Sequence, residues 1–168
     1  MSALELIHNH DLWRKGTGGA PAGVAGESDA NAYAGLDLDR ITFTSSGFSG
    51  SSFSATTFRD AVWTGCRFVA CTFTGCDFAR LALQGCAFTD CRFERCTFGA
   101  ARLADSQFLR CTWNDAVFHE GHWHRLRWLD CTGTRLAAWR LRGEDNDFTG
   151  SHFEDMEFEG ALLNGAMR

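Results

Sequence analysis

The chain has 168 residues, 45% of them hydrophobic, with 15 Phe, 6 Trp, 8 Cys, a single Pro and a formal net charge of −5 at pH 7. That is ample apolar volume for one core, and the mild acidity excludes the basic footprint of a direct nucleic-acid binder. No stretch is long and apolar enough to span a bilayer, and no charged start followed by an apolar core marks a secretory signal. A cytoplasmic protein without membrane contact is expected, export by a machine that reads no cleavable signal staying open.

Residues 1–15 mix Leu4, Leu6, Ile7, Leu12 and Trp13 with polar residues and predict a short helix or an extended cap. Because the ends of a repeat array need covering, a cap is the first reading and an adaptor peptide for a partner the second. Residues 16–35 are rich in Gly and Ala, contain Pro21, and read as a flexible linker.

From Leu38 to Leu163 almost every fifth residue is bulky and apolar, as in Phe43, Phe48, Phe53, Phe58 and Trp63. A second beat two residues earlier is mostly small, as in Ser51, Ala61 and Ala116, and takes all eight cysteines. Such a period cannot be a helix stripe, since five steps of about 100° turn successive side chains to every side. Nor can it be one strand, since an odd period puts alternate side chains on opposite faces. A strand of about three residues followed by a corner satisfies both, the small and bulky residues pointing inward together. Gly50, Gly65, Gly75, Gly85, Gly150 and Gly160 stand at the corner position, where a tight bend suits glycine.

Many of the remaining corners are charged, and they set the size of the coil. If four repeats close one turn, residues twenty apart stack about 4.8 Å apart, close enough for sign to matter. Corners read Asp105, Arg125, Asp145 along one edge and Asp90, Arg110, Asp130 along the next. The third reads Arg95, Asp115, Arg135, Asp155, and the fourth has Asp60 over Arg80 and Glu120 over Arg140. These nine neighbouring pairs are all of opposite sign, which predicts Arg110 between Asp90 and Asp130 and Arg125 between Asp105 and Asp145.

These features run without a slip of phase through stretches such as residues 71–75 (Cys-Thr-Phe-Thr-Gly) and 116–120 (Ala-Val-Phe-His-Glu), and over residues 36–165 they resemble the pentapeptide-repeat family. The resemblance implies an all-β fold, a right-handed parallel quadrilateral β-helix of about six and a half coils of twenty residues, with a tail at 166–168. One solenoid domain with nearest-neighbour core contacts is expected. The bulky beat lapses at Gly133, Ala138 and Gly143 while the small position becomes Leu136 and Leu141, so leucine is expected to fill from the earlier position what phenylalanine fills elsewhere.

Chemistry is sparse. The cysteines follow the repeat rather than zinc spacing, so they are expected to be small packing groups, with Cys71, Cys91, Cys111 and Cys131 a ladder of reduced, unreactive thiols and no cofactor. A thiolate triad of Cys66, Cys71 and Cys76 is the alternative, and phenylalanines already fill its lumen. His119, His122 and His124 cluster beside Glu120 with the donor types of a metal site, solvated surface histidine being the other reading. No glycine-rich phosphate loop occurs, and the serines of residues 44–54 fill inward and turn positions without His and carboxylate partners, so no enzyme activity is expected.

The resemblance also implies one well-known activity, imitation of DNA by acidic rods that bind type II topoisomerases such as gyrase and protect them from quinolones. A mimic needs continuous negative potential. Here only the last coil is acidic, through Glu144, Asp145, Asp147, Glu154, Asp155, Glu157 and Glu159, while residues 121–142 hold one acidic residue against five basic. The first reading is therefore a non-catalytic docking platform or stiff spacer for another protein, associated with a secretion or effector system. The topoisomerase-binding mimic is the alternative.

For the partner site, the side through Phe78, Phe98, Phe118 and Ala138 is the least charged, and it turns Val117, His119, Ala137 and Trp139 outward. If Trp139 projects beside Arg140, Arg135 and His119 it has the composition of an interface anchor; if it folds into the gap left by Gly133 and Ala138 it belongs to the core. Phe158, Ala161 and Leu163 leave an apolar end inside the acidic ring, from which a monomer or weak end-to-end dimer is expected.

Overall fold

Three repeats in four fold mostly as a strand of three residues with its middle side chain buried and then turn a corner, as in Thr72–Thr74 around Phe73 and Ala87–Thr89 around Phe88. The structure, a computed structural model, describes the backbone of residues 1–164 and the side chains of residues 1–161. The tail at 166–168 and the inward direction expected of Leu163 lie outside the described residues. Strands from successive coils pair in parallel, Phe73 aligning with Phe53 on one side and Phe93 on the other. Three sides of the coil are sheets of eight, six and seven strands among the described residues. The fourth side carries single bridges that run Asp37, Thr57, Asp77, Thr97, Val117, Ala137. The result is a mostly β, parallel solenoid of about seven turns.

Inside, every bulky beat residue from Leu38 to Trp128 is at most 4% exposed. Parallel register puts ring over ring: Phe48, Phe68, Phe88, Phe108 and Trp128 have centroids 4.8, 4.6, 4.9 and 4.6 Å apart. Those spacings match the distance between paired strands, so backbone hydrogen bonding and aromatic stacking are satisfied by one geometry. Closure has a backbone cost. Corners such as Asp60, Ala100 and Arg110 sit at φ of 58°, 55° and 50°, a left-handed conformation that disfavours an L residue by roughly 1–2 kcal/mol.

The linker expected at 16–35 is corrected by the structure. Strands β1 (Gly23–Ala25), β2 (Ser28–Asp29) and β3 (Ala32–Ala34) form the first coil and pair with the next one. A slip hid them. Gly23 aligns with Thr42 but Ala32 with Ser52, so one residue is missing between them relative to the later coils. Asp29 takes a bulky position there, and its buried carboxylate accepts from Tyr33 Oη and Ser51 Oγ at 2.6 Å and from Asn31 Nδ2 at 2.7 Å. A buried carboxylate is tolerated when it is this fully bonded.

Helix α1 (Ala3–Arg14) covers that first coil, as a cap was expected to do. Ser2 and Glu5 close a capping box at its start, and Ala3 and Ile7 are buried. His10 locks the helix down: its Nδ1 accepts from the Ala22 N–H at 2.9 Å, which leaves Nε2 to donate to the Asp39 carbonyl at 2.7 Å. At the other end, the lapse in the beat is filled as expected. Leu136 and Leu141 are 3% and 0% exposed. A Cβ added at Gly133 would lie 2.8 Å from Phe153 Cδ1, 2.9 Å from the Trp113 carbonyl oxygen and 3.3 Å from Leu136 Cδ1, so that volume is already occupied.

Candidate interaction surface

Trp139 projects. It is 41% exposed at the end of the strand Thr132–Trp139, on the fourth side of the coil. Its backbone N–H donates to His119 Nδ1 at 2.9 Å, and the two rings meet edge to face at 6.3 Å. With Nδ1 accepting, the neutral imidazole carries its proton on Nε2. The Arg140 guanidinium lies over the indole, 4.3 Å from its centroid, a cation–π contact. Val117 and Ala137 form a small, half-buried floor beside it. Arg135 does not join this group, contrary to expectation. It occupies the opposite corner of the side, where its Nε donates to Asp115 Oδ1 at 2.6 Å and its Nη2 to Oδ2 at 3.0 Å.

That pairing is general. Arg80, Arg110, Arg125 and Arg135 each hold an aspartate twenty residues earlier, Asp60, Asp90, Asp105 and Asp115, at 2.8, 2.9, 2.5 and 2.6 Å. The charge alternation is thus realised as ion pairs at four corners and in one direction only, while Arg140 turns over Trp139 and forms no ion pair with Glu120. Among the described residues Asp130, Asp145 and Asp155, which follow an arginine in their columns, are in no ion pair. The bonds from Arg125 and Gln84 bring the Asp105 carboxyl down to about 2, and Arg135 holds Asp115 below the usual range. All these pairs are exposed, so each contributes at most about 1 kcal/mol.

Below Trp139 the last described coil carries Glu144, Asp145, Asp147, Glu154, Asp155, Glu157 and Glu159, all exposed except half-buried Asp147. Glu157 and Glu159 pair in register with Ala137 and Trp139, which places the acidic coil directly against the tryptophan side. The rest of the rod is of mixed sign. Inside the acidic ring, Trp123, Trp128, Phe148, Phe153, Met156 and Phe158 line a cavity of about 530 Å³. Met156 was missed from sequence. It occupies a small inward beat position yet is 44% exposed, and a long side chain where the beat calls for a small one was the available signal.

Residues 61–137 match the model of the pentapeptide repeat region, and the coil seen there extends through the array. Residues 61–137 are a pentapeptide repeat region, and the β-solenoid is the fold of that family. Among solved structures it is similar to a trypsin-treated form of QnrB1, a plasmid-mediated fluoroquinolone resistance protein, with a TM-score of 0.54 and 20% identity over 86% of this chain and 73% of that one. A second trypsin-treated form of QnrB1 gives a TM-score of 0.53 at 18% identity over 83% and 90%. HetL, a pentapeptide repeat protein involved in heterocyst differentiation regulation in the cyanobacterium Nostoc sp., aligns over 99% and 94% at 9% identity, but with a TM-score of 0.36 it carries no argument. The QnrB1 likenesses show the fold alone. No curated protein matches the sequence.

The cysteines of this pentapeptide repeat protein are all free and buried. In the Cys71, Cys91, Cys111 and Cys131 ladder each thiol donates to the carbonyl of Phe48, Phe68, Phe88 or Phe108 at 3.2 to 3.4 Å. Burial disfavours the thiolate at every one of these cysteines, and it is their enclosure with the sulfur bonded to carbonyls that keeps them from reacting. His119 is turned toward Trp139 while His122 and His124 stand on another side, and among the described residues no group of three metal-ligating side chains forms.

Proposed function

We propose that this pentapeptide repeat protein is a non-catalytic docking platform that holds another protein against the side bearing Trp139. The observation that carries the reading is the mounting of that side chain. A large aromatic is exposed yet fixed, by a backbone bond to His119 and by the Arg140 guanidinium over its face, above a floor of Val117 and Ala137. Tryptophan and arginine are the residues enriched at interface hot spots, and fixing them beforehand lowers the entropy lost on binding. The serines near the start support a non-catalytic role: Ser46 Oγ donates to backbone carbonyls, and Ser51 Oγ, against the expectation of no carboxylate partner, donates to Asp29, but both serines are buried at 3% and 1% exposure, closed off from a substrate. Eight unpaired thiols suit a reducing compartment, consistent with the cytoplasmic reading.

The test is quantitative capture from native lysate by wild-type protein and by Trp139→Ala. A specific partner should be lost with the substitution by at least about 2 kcal/mol, roughly 30-fold in affinity, with the melting temperature nearly unchanged. Equal capture by both proteins would remove this side from the reading. A second reading, a DNA mimic that binds a topoisomerase, is favoured by the acidic last coil and by the fold shared with QnrB1. Against it, the aspartates of the corner columns are neutralised by arginine along most of the rod. A gyrase supercoiling assay with fluoroquinolone separates the two, and the platform reading expects no protection.

A further inference from the structure

We propose that the C-terminal end of the described rod is a second docking site, separate from the Trp139 side, for a partner segment with an apolar face flanked by arginine or lysine. The two ends of the array differ. At the first coil, α1 lays Ala3 and Ile7 on the core and sends Arg14 to Asp37 and Asp39, at 3.2 and 3.6 Å. A covered end in this protein is therefore an apolar stripe with a cation on the rim carboxylates. At the last described coil, Phe148, Phe153 and Phe158 are only partly buried, whereas Trp128 and Ala138, one coil before Phe148 and Phe158, are each 1% exposed. The half-buried rings and exposed Met156 line the cavity of about 530 Å³, inside the range of roughly 300–1,000 Å³ typical of ligand sites.

The rim names the chemistry of the occupant. Residues 144–159 contain seven carboxylates and no Lys or Arg. Asp145 and Asp155 gain no ion pair from the arginines that precede them in their columns, because Arg125 and Arg135 turn to Asp105 and Asp115 of the coil before their own. Asp145 and Asp155 are therefore the last charges of their columns among the described residues, and an arginine seated on them would continue the alternation. A partner's guanidinium seated above them completes the column and places an adjoining apolar side chain over the cavity. A second copy docked end to end would instead bring two acidic rings together, which repel within a Debye length of about 10 Å.

The probe is a fluorescein-labelled amphipathic peptide with Leu at helical spacing and flanking Arg, compared with the same peptide carrying Glu for Arg, using full-length protein and fluorescence anisotropy. The Arg peptide should bind at least ten times more tightly than the Glu peptide, and weaken with salt. Asp145→Asn with Asp155→Asn, and separately Met156→Arg, should each reduce its affinity at least tenfold without moving the melting temperature, since all three residues are exposed. Trp139→Ala should leave it unchanged, which keeps this site distinct from the platform reading. Equal binding of the two peptides, or indifference to the Asp145 and Asp155 changes, overturns the proposal. So does a dimer in sedimentation that Met156→Arg abolishes. A variant ending at Asn164 that binds the peptide ten times better would assign the end to the chain's own last residues and overturn it as well.

Discussion

Leu141 and Gly121 offer a direct measure of how the core is filled where the bulky beat lapses. Leu141 is 0% exposed and its Cδ1 lies 3.3 Å from the position a Cβ on Gly121 would take. Leu141→Ala removes three carbons worth about 0.8 kcal/mol each by transfer. With the residual void added, the expected loss is about 2–5 kcal/mol. Gly121→Ala acts in the opposite sense. Its methyl would meet Leu141 Cδ1 and the Ala101 carbonyl oxygen at 3.3 Å and the Phe118 carbonyl oxygen at 3.5 Å, so overpacking should destabilise by about 1–3 kcal/mol. Together the two changes should be less harmful than their sum, because the new methyl enters the space the leucine vacates. The expected coupling lies in the range of about 0.5–3 kcal/mol seen for residues in contact. Urea unfolding of the four proteins, with slopes compared, measures it. A loss below about 1 kcal/mol for Leu141→Ala, against the usual 2–5 for such a truncation, would refute the packing argument. So would simple additivity of the pair.

Burial is the largest influence on His10 and lowers its pKa, so the neutral ring is favoured in the fold while Asp37 and Asp39 pull the other way and Arg14 assists. The stability His10 contributes is then fully present above its unfolded pKa of about 6.5 and is lost as pH falls toward the lower folded value. Hydrogen-exchange protection factors in α1, corrected for the intrinsic pH dependence of exchange, should fall as pH drops below about 6.5 while the coils stay protected, and His10→Gln should flatten that dependence. Ala100→Gly should stabilise by about 0.5–1 kcal/mol in a thermal melt, because φ is 55° there and the alanine strain outweighs the added freedom of the unfolded chain. The eight thiols should resist an aromatic disulfide reagent in the native protein and all react in denaturant, and early labelling of any of them would expose an error in its burial.

Most of the solenoid was legible because its rule is local and repeated: one bulky residue in five, a small one before it, a corner between. The charge columns were legible because stacking brings residues twenty apart together, and their signs could be checked from the letters alone. The first coil escaped for the opposite reason. Val24 and Asp29 are out of phase by one residue with Tyr33, and Asp29 puts a charge where the pattern calls for an apolar group. Only the hydrogen bonds from Tyr33, Ser51 and Asn31 make it acceptable, and those require the folded neighbours. Trp139 was placed on the correct side by phase, but its mounting on His119 was not readable, since it depends on a backbone bond between coils. The one-way reach of the arginines was equally hidden, because alternation in sequence is symmetric and corner geometry is not.

That asymmetry bears on how such a rod can grow. The sign at each corner alternates from coil to coil, so the smallest segment that can be copied without setting like charges against each other is two coils long. Duplicating the single coil that holds Arg110 and Arg125 would stack arginine on arginine and leave the second copy's guanidiniums without the aspartate that Asp90 and Asp105 supply to the first. Insertion of a forty-residue block, or its deletion, keeps the alternation of sign in the charged columns, and lengthened or shortened relatives built by tandem copying are expected to differ by that unit.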